Sequence, residues 1–321
     1  MYYIGIDLGG TNIAAGLVDE TGTIIYKDSV PTMREREYPE IVKDMAMLCL
    51  KIINDAGIDI KNVKSIGIGA PGTPDNKNGI LVYANNLKFK NVPMRMEMQK
   101  YISLPILIEN DANCAALAES VAGAAKDVSN SITITLGTGI GGGMVISGKV
   151  YSGFNSAAAE VGHMTIISEG ELCTCGRKGC WEAYGSAMAL IEQSKKAAKS
   201  NPDSMLNRSV GGDLSKINAK TSFDSAKQGD ETGKKVVEQY IKYVAEGIIN
   251  LINIFTPEIL VIGGGVSKEG EYLLKPLREH ISRDVYAKEV PQTQIRVARM
   301  GNDAGIIGAA MLGKLEVRGE T

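Results

Sequence analysis

At 321 residues the chain is too long for one small core and suits two domains of ordinary size. A hydrophobic share of 44% with 22% charged residues is ordinary for a globular protein. The net charge of −2 and the 5% aromatic content exclude the footprint of a nucleic-acid or anionic-membrane binder.

The opening MYYIGIDLGG has neither a basic n-region nor an apolar run of signal-peptide length, and nothing later reaches membrane-spanning length. Cytoplasmic, reducing surroundings are therefore expected, and five cysteines, an odd number, argue against a disulfide framework there. Residues 2–7 and 13–18 alternate apolar and small side chains about LGGT, which predicts a strand pair with a glycine turn; TGTIIYKDSVP adds a strand. Residues 39–56 carry apolar side chains at helical spacing, with Pro39 near the start and Gly57 after the end. VKSIGIGAPG predicts a buried strand ending in a turn, LPILIEN another, and DANCAALAESVAGAA an alanine-rich helix.

The pattern then restarts. ITITLGTGIGGGMVI over 132–146 repeats the strand, Leu-Gly turn and strand of IGIDLGGTNIAAGLV, as in a chain built from two related halves. Residues 186–254 read as mostly helical, with a polar, flexible-looking stretch near 201–222. PEILVIGGGVS is a strand running into a glycine turn, followed by a helix over about 269–282, the strand QIRVARM and the small-residue helix DAGIIGAAMLGKL. No low-complexity linker separates the halves.

Glycine lets backbone N–H groups approach phosphate oxygens, and a threonine hydroxyl adds a donor. Gly9-Gly10-Thr11, Gly137-Thr138-Gly139, Gly263-Gly264-Gly265 and Gly301 could each do this, although any one alone reads first as a tight hairpin turn. Gly137, Gly139 and Gly142 formally satisfy G-x-G-x-x-G. Met144, Val145 and Ile146 continue as a strand where a dinucleotide site needs a helix, which excludes that reading; no P-loop signature occurs either. Two strand–turn–strand loops remain, one per half, suited to a nucleotide's phosphates.

DLGGTNIAAGLVD, LGTGIGGG and VIGGGVS resemble the nucleotide-binding elements of sugar kinases with the actin/hexokinase-like fold. The resemblance implies a two-domain, ribonuclease H-like α/β ATPase fold with a cleft between the domains. It places Asp7 near magnesium; Gly9, Gly10, Thr11, Asn12, Gly137, Thr138 and Gly139 near the phosphates of ATP; and Gly263, Gly264 and Gly265 near the adenosine. The expected domains are 1–115, completed by the C-terminal helix 303–321, and 116–302.

A kinase acting on a hydroxyl needs one base within reach of the attacking oxygen. Asp111 follows Asn110 where a buried strand meets a helix, and the helix N-terminus favours an ionised carboxylate. Position alone leaves two readings, catalytic base or helix N-cap. The resemblance, in which an Asn-Asp pair holds the sugar and supplies the base, favours the first. Asn86, the GAPG turn of Gly69 to Gly72, Glu160, His163 and Glu182 could complete a site for a hydroxyl-rich, uncharged ligand.

In LCTCGRKGCWE three cysteines, Cys173, Cys175 and Cys180, fall within eight residues, and His163 lies ten residues upstream. One His and three Cys form a tetrahedral zinc set with no open position, which predicts a structural rather than a Lewis-acid metal. Glu160-x-x-His163 followed by this stretch resembles the signature of the ROK (repressor, open reading frame, kinase) family, most closely its glucokinases. There the zinc knuckle positions the histidine loop and the following glutamate against the sugar. The implied activity is transfer of the γ-phosphoryl group of ATP to the 6-hydroxyl of glucose, in glycolysis, by a homodimer or homotetramer that binds no nucleic acid or membrane. Alternatives are the same chemistry on N-acetylmannosamine, N-acetylglucosamine, fructose or allose, or a non-catalytic sugar-sensing protein of the family. Repressors of the family carry a helix-turn-helix before the kinase-like part, and LGGT begins here at residue 8, so the kinase is expected. Departures from the pattern are Asn12 where many members carry Lys, Phe89 where many glucokinases carry Trp, and Ala159 where Gly is frequent.

Overall fold

A computed structural model describes residues 1–317; residues 318–321 of the expected C-terminal helix lie outside the described residues. The chain opens with β1 (Tyr2–Leu8), β2 (Asn12–Asp19) and β3 (Ile24–Pro31), antiparallel neighbours in sequence order. Helix α1 (Tyr38–Asp55) leads to β4 (Val63–Ala70), which runs parallel to β1. A small antiparallel sheet follows, β5 (Thr73–Asp75), β6 (Ile80–Ala84) and β7 (Phe89–Val92), which the sequence reading did not include. Helix α2 (Met94–Met98) and β8 (Ile106–Asn110), parallel to β4, complete a first sheet of order β3-β2-β1-β4-β8, and α3 (Asp111–Val121) leaves its edge.

The second half has β9 (Ser131–Leu136), β10 (Ile140–Ile146) and β11 (Lys149–Val150). Helices α4 (Glu182–Gly185), α5 (Ala187–Ser200), α6 (Met205–Arg208), α7 (Ala219–Lys227) and α8 (Glu231–Phe255) precede β12 (Ile259–Gly263). Then come α9 (Glu271–Asp284), β13 (Gln294–Val297) and α10 (Ala304–Val317). The second large sheet has the order β11-β10-β9-β12-β13, the connectivity of the first repeated strand for strand. This doubled sheet is the actin/hexokinase-like pattern, and it explains why IGIDLGGTNIAAGLV and ITITLGTGIGGGMVI look alike.

Contacts divide the chain into two compact units: Met1–Thr133 with Gly143–Ala159 and the segment from Ala298 onward, and Ile134–Gly142 with Glu160–Val297. In the first unit the two-residue period of β1 sorts its side chains. Ile4, Ile6 and Leu8 pack with α1, whose Ile41, Met45, Leu48 and Ile52 are buried, whereas Tyr3 joins α3 and α10 on the other face. On that face Gly5 and Gly67 admit the α10 backbone: a Cβ would lie 1.8 Å from the Ile306 and Ala309 carbonyl oxygens respectively. Residues 306–313 of α10 are buried all round, as a helix without a polar face must be.

The polar stretch near 201–222 is structured rather than flexible. The Asn218 side chain accepts from the Thr221 N–H, and Asn218 N–H donates to the Thr221 hydroxyl, a capping box that starts α7. Asp213 likewise caps the 3-10 turn Leu214–Lys216, its side chain accepting from Ser215 N–H.

Candidate active site and metal knuckle

In the first unit the expected residues collect at the carboxyl ends of the parallel strands. Asp7 on β1 is level with Gly69 on β4, and Gly69 with Glu109 on β8. Asn110 ends β8 and Asp111 begins α3. Gly9, Gly10 and Thr11 form the β1–β2 turn and Asn12 starts β2; Gly10 faces Asn86, whose Cβ is 3.7 Å from where a Gly10 Cβ would stand. Asn110 Nδ2 donates to the Gly72 carbonyl at 3.1 Å, tying the GAPG turn to the Asn-Asp pair.

Asn110 holds the N-cap of α3: its Oδ1 accepts from the Ala112 and Asn113 N–H groups at 2.9 and 3.2 Å. Asp111 stands one position inside the helix and is solvent-exposed. The N-cap position that could have accounted for Asp111 thus belongs to its neighbour, while Asp111 Oδ1 also accepts from Ala112 N–H at 2.9 Å. Asp7 is half-buried, and desolvation together with the Asp111 charge pushes its carboxyl up to about 6.

Two supports escaped the sequence reading. Glu109, 4% exposed, accepts from Asn110 N–H at 2.8 Å, Asn113 Nδ2 at 3.0 Å and the Ser152 hydroxyl at 2.7 Å, so a buried carboxylate fixes the segment that carries Asp111. An acid inside the apolar run ILIEN was its signal. Thr32 is buried and braces the first glycine turn at both ends: its hydroxyl donates to Gly9 O at 2.7 Å and its N–H to Thr11 O at 2.9 Å. Nothing local in the sequence marks that contact, which joins residues more than twenty positions apart. Phe89 is a core residue, 5% exposed, set edge-on against Tyr38. Ala159 has φ +66°, which explains why glycine suits that position.

In the second unit Gly137, Thr138 and Gly139 form the β9–β10 turn, closed by Gly137 N–H donating to Gly139 O at 3.0 Å. Gly263 ends β12. Gly264, at φ +85°, lies against the end of β9, where a Cβ would come within 2.4 Å of Leu136 O. Gly265 borders a cavity of about 390 Å³ that Ala219, Lys220 and Phe223 of α7 and Val266 also line.

His163, Cys173, Cys175 and Cys180 converge, with their ligand atoms all within 4.8 Å of one another. Thiolates bound to one zinc at about 2.3 Å stand about 3.8 Å apart at tetrahedral angles. The Cys175 and Cys180 sulfurs are 3.7 Å apart, as are Cys173 Sγ and His163 Nδ1. The set fits a closed, structural zinc, with His163 turning Nδ1 toward the thiols. Glu160 is exposed just before the short 3-10 turn Val161–His163. Glu182, the first residue of α4, accepts from Ile140 N–H at 2.9 Å through Oε2.

The sequence profile of the ROK family matches residues 3–316. A glucokinase of Halalkalibacterium halodurans is 35% identical over 98% of this chain and 95% of its own length. The crystal structure of a ROK family glucokinase from Streptomyces griseus in complex with glucose and AMPPNP superposes with a TM-score of 0.78 at 36% identity, over 98% of this chain and 99% of that one. The xylose repressor of Caldicellulosiruptor bescii is 31% identical over 95% of this chain and 76% of its own length. Among the described residues no helix is long and apolar enough to cross a membrane.

Proposed function

The chain belongs to the ROK family, and from that premise we propose that it is an ATP-dependent hexose kinase that phosphorylates the 6-hydroxyl of glucose. The observation that carries the reading is the Asn110–Asp111 pair: Asn110 caps α3, and the exposed Asp111 stands beside Asp7 at the carboxyl ends of the parallel strands. Asp111 takes the proton of the 6-hydroxyl as that oxygen bonds to the γ-phosphorus, and ADP leaves with the electrons of the broken P–O bond.

In the first unit the Gly9–Thr11 turn and Asn12 meet the phosphates, while Asn86, Asn110 and the GAPG turn meet sugar hydroxyls. In the second unit the Gly137–Gly139 turn meets the phosphates, the Gly263–Gly265 turn with its α7 cavity meets the adenosine, and Glu160, His163 and Glu182 meet the sugar. A carboxyl raised by burial and a like charge, as Asp7 is, suits a site that a dication joins. Magnesium bound beside Asp7 would supply positive charge against the β- and γ-phosphate oxygens. The xylose repressor relative supports a second reading, a sugar sensor without turnover.

A coupled assay of ADP release across glucose, fructose, mannose, allose, N-acetylmannosamine and N-acetylglucosamine tests the proposal. Turnover with glucose on the order of 1–100 per second is expected. Sugar binding with no ADP release on any sugar would favour the sensor.

A further inference from the structure

We propose that Glu109 is a positioning residue for the phosphoryl transfer: it aims Asp111 through hydrogen bonds rather than through its charge, and Ser152 is the hydroxyl that locks it. This rests on the kinase reading above, in which Asp111 takes the proton of the 6-hydroxyl. In β8, Ile106 and Ile108 belong to the core packed on α1 and Leu107 to the core of α3 and α10. The two-residue period of the strand puts Glu109 on the Leu107 side. A carboxylate buried among apolar groups is costly unless donors meet its oxygens. Here Oε1 takes the Asn110 N–H at 2.8 Å and Asn113 Nδ2 at 3.0 Å, and Oε2 takes the Ser152 hydroxyl at 2.7 Å.

Two of these donors flank the base, one residue before it and two after it. Asp111 is itself exposed, so its aim follows the backbone that runs between them. Asn113 is buried and its Oδ1 has no hydrogen-bond partner, so the bond from Nδ2 to Glu109 is what orients that amide. An apolar side chain at 113 would strand no acceptor; the amide serves the carboxylate. Ser152 supplies the third arm from outside β8 and α3. It follows β11, where Tyr151 N–H donates to Met144 O at 2.8 Å, and its carbonyl accepts from Ala158 N–H at 3.1 Å. The joint therefore ties the end of β8 to a braced segment 43 residues away. An amide can preserve all three arms. Glutamine has the same shape, its Oε1 accepts from Asn110 and Asn113, and its Nε2 donates to a serine hydroxyl that can accept. Displacing a reacting group by about 1 Å costs about a hundredfold in rate, which is the effect expected of a released Asp111.

The test uses the zinc-replete full chain, with kcat, the KM for MgATP and the pH profile of kcat measured for wild type, Glu109→Gln, Glu109→Ala and Ser152→Ala. Glu109→Ala should lower kcat by about a hundredfold, with the KM for MgATP within about threefold of wild type. Glu109→Gln should keep kcat within about threefold, with the acidic limb of its pH profile unmoved. Ser152→Ala leaves one carboxylate oxygen unmet and should lower kcat by about three- to tenfold. If Glu109→Ala does not fold, the Gln and Ser152 variants carry the comparison. Folded alanine variants that turn over like wild type would make Glu109 a structural brace and overturn the proposal. A Gln variant slowed more than about tenfold, or one whose acidic limb moves, would overturn it in favour of charge. A KM for MgATP that rises as far as kcat falls would place the effect on nucleotide binding and overturn it too. A wild-type chain that phosphorylates no hexose would instead overturn the kinase reading, and this role with it.

Discussion

At the scale of single residues, two carboxylates have opposite requirements. Under the proposed function Asp111 must be able to accept a proton, and its removal should cost chemistry rather than binding. Asp111→Asn should leave the glucose dissociation constant nearly unchanged and lower kcat by about two to four orders of magnitude. A variant that keeps more than about a tenth of wild-type turnover would return Asp111 to a purely structural role. Asp7 is held at about 6 against an ordinary 3.8. Its ionised form is the disfavoured one in the fold, so its contribution to stability is fully present below about pH 4 and is lost as pH rises through about 6. By neutral pH this amounts to at most about 3 kcal/mol in the magnesium-free protein. Urea midpoints of magnesium-free Asp7→Asn should therefore vary less between pH 4 and pH 7.5 than those of wild type, and at pH 7.5 should exceed them. A wild type no more sensitive than the variant over that range would contradict the assignment.

At the scale of elements, buried carboxylates act as joints. Glu119, near the end of α3 and 1% exposed, accepts from Ala124 N–H at 2.7 Å and from Arg299 and Met300 N–H at 2.8 Å each. It thereby fastens the approach to α10 onto α3. Glu119→Ala strands these buried donors and should lower unfolding free energy by about 3 kcal/mol, read by chemical denaturation. A loss below about 1 kcal/mol would mean that water replaces the carboxylate. The knuckle is the second such joint. Its three thiols lie within one short loop, with Cys173 and Cys180 buried and Cys175 exposed. Elemental analysis should find about one zinc per chain in wild type and none in Cys175→Ser. Metal-replete protein without zinc would refute the knuckle assignment.

At the scale of the whole molecule, a doubled sheet provides two equivalent glycine turns, Gly9–Thr11 and Gly137–Gly139, each after the first strand of its repeat. Substrate choice under the proposed function belongs to this scale because the residues proposed for the sugar are spread along the chain, from Asn86 to Glu182. Asn86, Asn110, Asp111, Glu160, His163 and Glu182 offer acceptors and donors suited to hydroxyls. None of these is an apolar side chain on which an acetamido methyl would pack. Polar groups left unpaired by the wrong sugar are costly, so kcat/KM for glucose should exceed that for N-acetylmannosamine by at least about a hundredfold, or roughly 2.7 kcal/mol. Equal or reversed efficiencies would leave the phosphoryl transfer standing and remove glucose as the substrate.

The sequence by itself determined what local chemistry controls. Strand alternation placed β1, β2, β9 and β10, helical spacing placed α1, and four metal-ligand side chains of which three lie in one loop identified the knuckle. It could not assign the cap of α3 between Asn110 and Asp111, because both residue types cap helices and only the backbone decides which one does. It missed β5–β7, whose strands of three to five residues leave little room for a period to show. The tertiary structure alone decided the partners of Glu109, Glu119, Thr32 and Glu182. Each meets groups that are remote along the chain, from 23 residues for Thr32 to as many as 181 for Glu119. A carboxylate or hydroxyl in an amino-acid sequence has no direction until packing gives it one, and at these positions the direction, not the residue type, sets the role.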